Sequence, residues 1–426
     1  MANNFTKEER VQWENLLEGF DDLLVIAREA ETYTMPGGAV GQQRQSDKIW
    51  RPMPYIPAVY DGFDQSANFG DITQLSVPVT IGQHKVANGK MSSKDMRDPL
   101  QLSRYFDGAK KTLASSVNMA VFTSVANNGS LVSKRTVAAS GYDDLAAAGA
   151  MMTEQGVPMD DRSAFYSSRD YLTMAGNIAK PQTSDSPLAR TAYERAYVRT
   201  VGNFKVFEND QIIRLTAATA TGVTITNTQP LYYTPVGSTV DADGNTTNID
   251  NRYQVISIAV TGNTVKVGDA FTIAGVNALH HISKQDTGQL KTFRITKIIT
   301  GAGGTGTVQI TPPIISNGGG TKAELEYKNV SATPANGAAI TFLNTTAANV
   351  NPFFVKGAVE IIPGTFAVEP EDGWQVLRGT TPLGIPITYT RQGAINDLSV
   401  KFRFDIDFGV ATLNTEMAGI QLFGQA

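Results

Sequence analysis

One run constrains this chain more than any other: DPLQLSRYFDGAKKTLASSVNMAVFTSVANN, from Asp98 to Asn128, in a sequence otherwise interrupted by Gly, Thr, Asn and Pro. Apolar side chains recur at Leu102, Tyr105, Phe106, Ala109, Leu113, Val117, Ala120, Val121 and Val125. That three-and-four spacing is one buried stripe of a helix. Asp98 before Pro99 is an N-cap with proline at the first helical position, and Asn127-Asn128-Gly129 is a stop. At 1.5 Å per residue the helix is a rod of roughly 45 Å, longer than most globular helices. Other elements must therefore lie across it.

The residues before it supply two candidates. Residues 6–30 predict an amphipathic helix with Trp13, Leu16, Leu17, Phe20, Leu24 and Ala27 on one face. Met1–Glu31 holds eight acidic residues against Lys7, Arg10 and Arg28, a net of −5. Such an arm is a docked brace, a surface for a basic partner, or both. Residues 32–48 read as a linker. The next stretch carries Pro52, Pro54, Pro57 and Pro78, which suit edge ribbons better than central strands. It predicts a long projecting hairpin around Asp61 to Gly70, ending in a β-branched segment, Leu75–Ile81, that joins a sheet. A hairpin with so little core of its own packs on something else.

After the long run come a helix at Asp143–Gln155, a strand at Ser163–Tyr166 and a helix at Ser168–Ile178, an α+β layer. A short helix follows at Pro187–Tyr197, then a strand in NFKVFENDQIIRL. Composition changes near Leu215. From Thr216 to Val350 the chain is rich in Thr, Asn, Gly and Val, with short alternating strands (GVTITN, YQVISIAV, AFTIAGV, TFRITKIIT, GTVQITPPII, AITFL) and no helical period. Six short strands with protected edges predict a small closed barrel, inserted between α+β segments. The remainder returns to strands, the last alternating Val400, Phe402, Phe404, Ile406 and Phe408.

At 426 residues the chain exceeds one compact core, and a formal charge of −4 gives no pull toward nucleic acid. Charged residues are only 18%, which suits a turn-rich β protein with large, weakly charged contact surfaces. With no cysteine there are no disulfides, thiolate metal sites or cysteine nucleophiles. The polar opening and the lack of an eighteen-residue apolar run predict a soluble protein made in the cytoplasm.

Chemistry is sparse. Of three histidines, the adjacent His280 and His281 point to opposite faces of any strand and lack a third metal ligand at useful spacing. DADGN at 241–245 starts like a calcium loop, but Thr246 stands where glycine is needed and Arg252 where glutamate belongs. It reads as an Asp-Gly hairpin turn, with or without a charged contact to a neighbouring chain. Gly89-Lys90-Met91-Ser92 lacks the leading glycine of a phosphate loop, since that position is His84. Glu371 and Asp372 could serve a hydrolase but stand in a turn-like EPEDG. Arg104, Lys110 and Lys111 fall on the polar side of the long helix, a solvated face or a contact to a partner.

The order of acidic arm, extended hairpin, long helix, α+β layer, inserted barrel and closing strands resembles the coat proteins of tailed bacteriophages. It is similar to the P22-like group, in which the HK97-type capsid fold carries an insertion domain. The matching residues are densest in the insertion: DADGN (241–245), NIDNRY (248–253), VGDAF (267–271), IAGV (273–276) and VQITP (308–312). IWRP (49–52), DMRD (95–98) and the final GQA also fit.

This resemblance implies an α+β fold with an N-terminal arm at 1–34 and an extended hairpin at 47–82. It places a peripheral domain at 83–185 and 400–426 around the helix 98–128, an axial domain at 186–215 and 351–399, and an inserted all-β barrel at 216–350. It also implies a non-enzymatic virion protein without cofactor or metal, forming hexamers and pentamers of an icosahedral shell. Its partners would be a scaffolding protein, a portal protein and packaged double-stranded DNA without sequence-specific contact, and no membrane. Glu14, with Glu18 one turn on, matches the acidic arm that meets a basic scaffolding helix. Asp241 and Asp243 match a loop that joins neighbouring capsomers. Trp50, Tyr55, Tyr60 and Phe63 are the hairpin side chains expected against another subunit's long helix. The alternative left open is a β-rich carbohydrate-binding, adhesin or decoration protein.

Overall fold

The computed structural model describes residues 5–34, 46–66, 68–179, 200–241, 244–366, 368 and 374–426. The helix expected at 187–197 lies outside them, as do Asp243, Glu371 and Asp372. The chain divides into two compact units. One holds residues 1–49, 78–122 and 359–411, and the other Trp50–Val77, Thr123–Ala358 and Thr412–Ala426.

The first unit is a sheet with two helices on it. Its strand order is Glu31–Thr32, Val359–Pro363, Ser399–Thr412, Pro386–Ala394, Gln375–Thr380, and Gln83–Ser92 also pairs with Ser399–Thr412. That last pairing is antiparallel over ten residues, from Ser399 opposite Ser92 to Phe408 opposite Gln83. The alternation read in the closing strand buries Phe402, Phe404, Ile406 and Phe408. Helix α1 (Lys7–Glu18) and the first part of α2 (Pro99–Asn128) close this apolar face. Phe106 meets Phe404 edge-on at 4.9 Å, and Tyr389 stacks on Phe404 at 4.8 Å. Trp13 of α1 stacks on Tyr389 at 6.1 Å. Two glycines permit the close approach. A Cβ at Gly89 would stand 2.6 Å from Tyr105, and one at Gly379 2.4 Å from Leu17.

The arm is shorter in helix than its apolar pattern predicts. α1 ends at Glu18, and residues 19–30 continue as bends and two short 3-10 turns. Gly19 and the Asp21-Asp22 pair break the helix, since glycine loses backbone entropy and aspartate competes for backbone donors. Phe20, Leu24 and Ala27 are buried all the same. Asn118 of α2 fixes this stretch: its carbonyl accepts from Ala27 N at 3.3 Å and its amide donates to Leu23 O at 2.9 Å.

The second unit contains a mixed sheet and a barrel. The sheet runs Leu131–Lys134, Ala418–Leu422, Asn351–Val355, Arg162–Ser167, Phe204–Asn209, Thr200–Val201. α3 (Tyr142–Glu154) and α4 (Ser168–Ala179) pack on it, burying Leu145, Met152, Tyr171 and Met174 against Phe204 and Phe353. Residues 412–426 therefore belong with 123–358, whereas the sequence reading grouped 400–426 with all of 83–185. The strand of the first sheet ends at Thr412 and that of the second begins at Ala418, a change with no composition signal.

The barrel strands are ordered Thr224–Thr226, Gln254–Val260, Gly304–Thr311, Asp286–Thr300, Ala270–Leu279, Ile340–Phe342. Backbone bonds from Ile225 N to Ala338 O at 3.0 Å and from Ile340 N to Val223 O at 2.9 Å close the ring. Ile256, Ile258, Phe271, Ile273, Phe293, Ile295, Val308 and Ile310 fill it. One helix interrupts the all-β expectation: α5, Lys322–Tyr327, capped by Thr321 Oγ1, which accepts from Glu324 N at 3.2 Å. Six residues are too few to show a helical period, so only the cap betrayed it.

Two further differences concern the hairpin and its neighbour. Lys48–Pro52 and Ser76–Thr80 form a two-stranded sheet of their own, with a single bridge from Ser76 to Asp250, so the hairpin's end does not join a larger sheet. Gln83–Ser92 is a strand with almost no apolar alternation, made by its pairing and not by its composition. Among the described residues no helix is long and apolar enough to cross a membrane.

Candidate functional site

The arm divides its acids into two kinds. Glu9 is buried: its carboxylate closes the capping box with Thr6, and its Oε1 takes a 2.6 Å bond from Arg391. Glu14 and Glu18 sit four residues apart on the exposed face of α1. Like charges at that spacing weaken a helix by a few tenths of a kcal/mol, so the pair contributes nothing to the folded arm itself. On the polar side of α2, Arg104 and Lys111 are exposed, while Lys110 is half-buried with its ammonium 3.8 Å from Asp107.

The hairpin residues behave differently from one another. Phe63 is fully exposed at 110%, while Trp50, Tyr55 and Tyr60 are half-buried. Tyr55 has a partner inside its own chain. Its hydroxyl donates to Glu326 Oε1 at 2.6 Å, and that bond to the carboxylate, with burial, pushes the phenol up to about 12. A contact across 271 residues of sequence leaves no local trace.

Asp241 lies at the end of an exposed two-stranded ribbon, Ser238–Val240 with Thr246–Asn248. Its carboxylate holds the turn, accepting from Asn245 N at 2.8 Å and from Asn245 Nδ2 at 3.3 Å. Asp250 is engaged as well, fork to fork with Arg252 through Nε at 2.9 Å and Nη2 at 2.7 Å.

In the first unit a cleft of about 650 Å³ is lined by His84, Lys90, Trp374, Arg403 and Asp405, among others. Its carboxylate is committed: Asp405 takes bonds from His84 at 2.8 Å and from Arg403 Nε at 2.7 Å. Both oxygens of that carboxylate are thus occupied by side chains of the same unit. Among the described residues no group of three or more His, Cys, Asp or Glu is arranged to hold a metal.

The family model described as "P22 coat protein - gene protein 5" matches residues 1–424. The chain belongs to the P22 coat protein family. It is a major capsid protein of a tailed phage, a subunit of a homo-oligomeric icosahedral shell and a component of the virion. Its α+β architecture with an inserted barrel is that of the family, and the adhesin reading falls away. Among solved structures, a capsid of the cyanophage P-SCSP1u is similar at 11% identity, covering 93% of this chain and 86% of its own with a TM-score of 0.44. A virus-like particle from Pyrococcus furiosus has 7% identity, coverage of 98% and 100%, and a TM-score of 0.40. The CUS-3 coat protein I-domain is 38% identical, covering 30% of this chain and 98% of its own with a TM-score of 0.23.

The coat protein also holds a polar set that sequence reasoning passed over. Within the second unit, barrel side chains grip the end of α2 and the turn at Thr415–Met417. Arg294 is fully buried; Nη1 donates to Ala126 O and Nη2 to Gly268 O at 3.1 Å. Tyr253 donates to Asn128 Oδ1 at 2.8 Å, and Thr292 to Ser130 O at 2.7 Å. Lys291, with no exposed surface, pairs with Glu416 at 2.5 Å and donates to Gln155 Oε1 at 2.8 Å. Asn329 Nδ2 also donates to Glu416, at 3.1 Å. His281 lies 3.9 Å from that carboxylate, and burial pulls its imidazole down to about 4. Residues 291–295 are buried on both faces of their strand. Alternation alone would have left Arg294 in water, opposite Phe293 and Ile295.

Proposed function

We propose that this coat protein builds its shell from hexamers and pentamers around a scaffolding protein, and that the shell expands when double-stranded DNA enters through a portal protein. The DNA is enclosed without sequence-specific contact, the subunit is made in the host bacterial cytoplasm, and it performs no catalysis. One observation carries the reading. Val59, Phe63, Phe69 and Ile72 of a single hairpin are left 66–110% exposed, which a chain working alone would bury. Other copies complete it, through Phe63 together with Trp50, Tyr55 and Tyr60 of the same hairpin.

On this reading the exposed pair Glu14 and Glu18 receives a basic scaffolding segment, while Glu9 keeps the arm docked. Glu14→Lys with Glu18→Lys is expected to cut recruitment of scaffolding protein by roughly tenfold at low salt, with the deficit shrinking as salt rises. Co-sedimentation with scaffolding protein measures it, and unchanged recruitment refutes the assignment.

Asp241 and Asp243 are proposed to bridge capsomers. Asparagine at both keeps a side-chain oxygen for the turn and removes the charge. The double Asn variant should unfold within about 0.5 kcal/mol of wild type yet yield fewer closed shells by negative-stain microscopy. Normal shell yield would leave the ribbon as a plain turn.

A further inference from the structure

Residues 53–66 and 68–75 have no regular structure, yet one element of the barrel fixes their course at three points. Tyr55, on the outgoing leg, donates to Glu326. On the returning leg, Thr73 O accepts from the Tyr327 hydroxyl at 2.9 Å and Gly70 O accepts from Lys322 Nζ at 2.8 Å. All three barrel partners belong to α5. The Tyr55 and Tyr327 rings also meet edge-on, 6.3 Å apart at 69°.

Glu326 has a cost that the barrel has no reason of its own to bear. Its side chain is 1% exposed, and Oε2 is buried with no hydrogen-bond partner among the described residues. Lys322 Nζ stands 3.7 Å from Oε1. The hairpin's tyrosine satisfies the oxygen that is satisfied. A six-residue helix is not stable by itself, so α5 and the hairpin hold each other. Beyond the anchors stand Val59, Phe63 and Phe69, in water, with Ile72 exposed between Gly70 and Thr73.

We propose that α5 is a seat that aims the hairpin, so that each subunit presents this apolar tip to a second copy of the chain in one fixed direction. The proposal rests on the shell-subunit reading. Its physical content is preorganisation: an irregular loop of this length loses much conformational freedom when it docks, and a loop already held on both legs has lost that freedom beforehand. The inserted barrel then acts on assembly through its own subunit's hairpin, besides anything its ribbon does between capsomers.

The test pairs Tyr55→Phe with Lys322→Met in the full-length chain, with Lys322→Met alone as a second variant at a residue outside the barrel's core. In the soluble chain, deuterium exchange of peptides covering residues 68–75 should rise about tenfold or more, while strand Gln254–Val260 keeps its protection. Shell yield in the same preparation should fall about fivefold or more. Unchanged exchange at 68–75 in both variants overturns the seat. Faster exchange with full shell yield overturns the aiming role. If the double variant also loosens the barrel strand, the single variant decides by the same two readouts. A wild-type chain that forms no shells fails the shell reading and, with it, the aiming, whereas the exchange measurement still decides the seat.

Discussion

Glu416→Gln is expected to destabilise the folded coat protein by about 3–5 kcal/mol, because it leaves the Lys291 ammonium buried without its counter-charge. The surroundings set that magnitude. Lys291 has no exposed surface and, among the described residues, only Gln155 as a further acceptor, so water cannot replace the lost carboxylate. Replacing both partners by apolar groups, Lys291→Met with Glu416→Leu, should be far milder, since the pair's desolvation cost disappears along with its attraction. Urea unfolding followed by circular dichroism measures both. A loss under 1 kcal/mol in the single variant would mean the pair is solvated in solution.

The same cluster makes stability fall in acid. His281 titrates at about 4 in the folded chain against an ordinary 6.5, first because it is buried and despite the pull of Glu416. Between those values the unfolded chain binds the extra proton. Stability therefore rises with pH, and is lost as pH drops from about 6.5 toward 4, by on the order of 3 kcal/mol. For Glu416, burial pushes the carboxyl up, but Lys291, His281 and its hydrogen bonds outweigh that and hold it below the ordinary range. Its contribution is present above the ordinary carboxylate value and disappears as pH falls below it, the same direction. His281→Phe should flatten the slope between pH 6.5 and 4. An unaltered slope would show that other groups set the acid limit.

What the sequence disclosed follows from how each element earns its structure. α2 was legible because its stripe repeats over eight turns and both ends carry signals. It stops at Asn128, where a Cβ at Gly129 would lie 2.9 Å from Val125 O and 3.1 Å from the backbone of Gly419. The barrel strands were legible because one face is apolar core and the other mostly water. Gln83–Ser92 was not, since its burial is slight and the neighbouring strand Ser399–Thr412 alone makes it extended.

The candidate surfaces divide along the same line. Exposed, locally determined features, such as Glu14, Glu18, Phe63 and the Asp241 turn, could be named from spacing and composition. The seat of Tyr55 on Glu326, the grip of Lys291 on Glu416 and that of Arg294 on Ala126 join residues 125–271 positions apart. In each, a residue type that normally marks a solvated face is turned inward by an element that arrives much later or earlier in the chain. Periodicity describes one element at a time and has no term for that second layer.

Arg294→Met is the substitution that tests whether the barrel and the end of α2 form one structure. Methionine keeps much of the apolar stem, so the change removes donors and charge more than volume. Two carbonyls lose their partner: Ala126 O, one of the orphan acceptors of the last helical turn, and Gly268 O in the barrel. Asp269 loses a nearby cation as well. Its carboxyl, already pushed up by burial, would keep Asn344 at 2.9 Å, Lys266 N at 2.8 Å and the charge of Lys266. Unpaired buried acceptors cost roughly 1–3 kcal/mol each, and a cation at a helix C-terminus adds up to about 2 kcal/mol in a partly buried site. Local relaxation offsets part of the sum, so a loss of about 3–5 kcal/mol is expected. Burial draws the guanidinium down to about 10, still charged at neutral pH, so the charge belongs in that account. Arg294→Lys should recover only part of the loss, because a single ammonium on a different stem cannot reproduce a fork aimed at two separate carbonyls. Deuterium exchange should locate the damage in the last turns of α2 and in the strand Asp286–Thr300, with Gln375–Thr380 of the first unit unaffected. Uniform exchange, or a loss within 1 kcal/mol, would mean that the helix end is held by Tyr253 and Thr292 without the arginine.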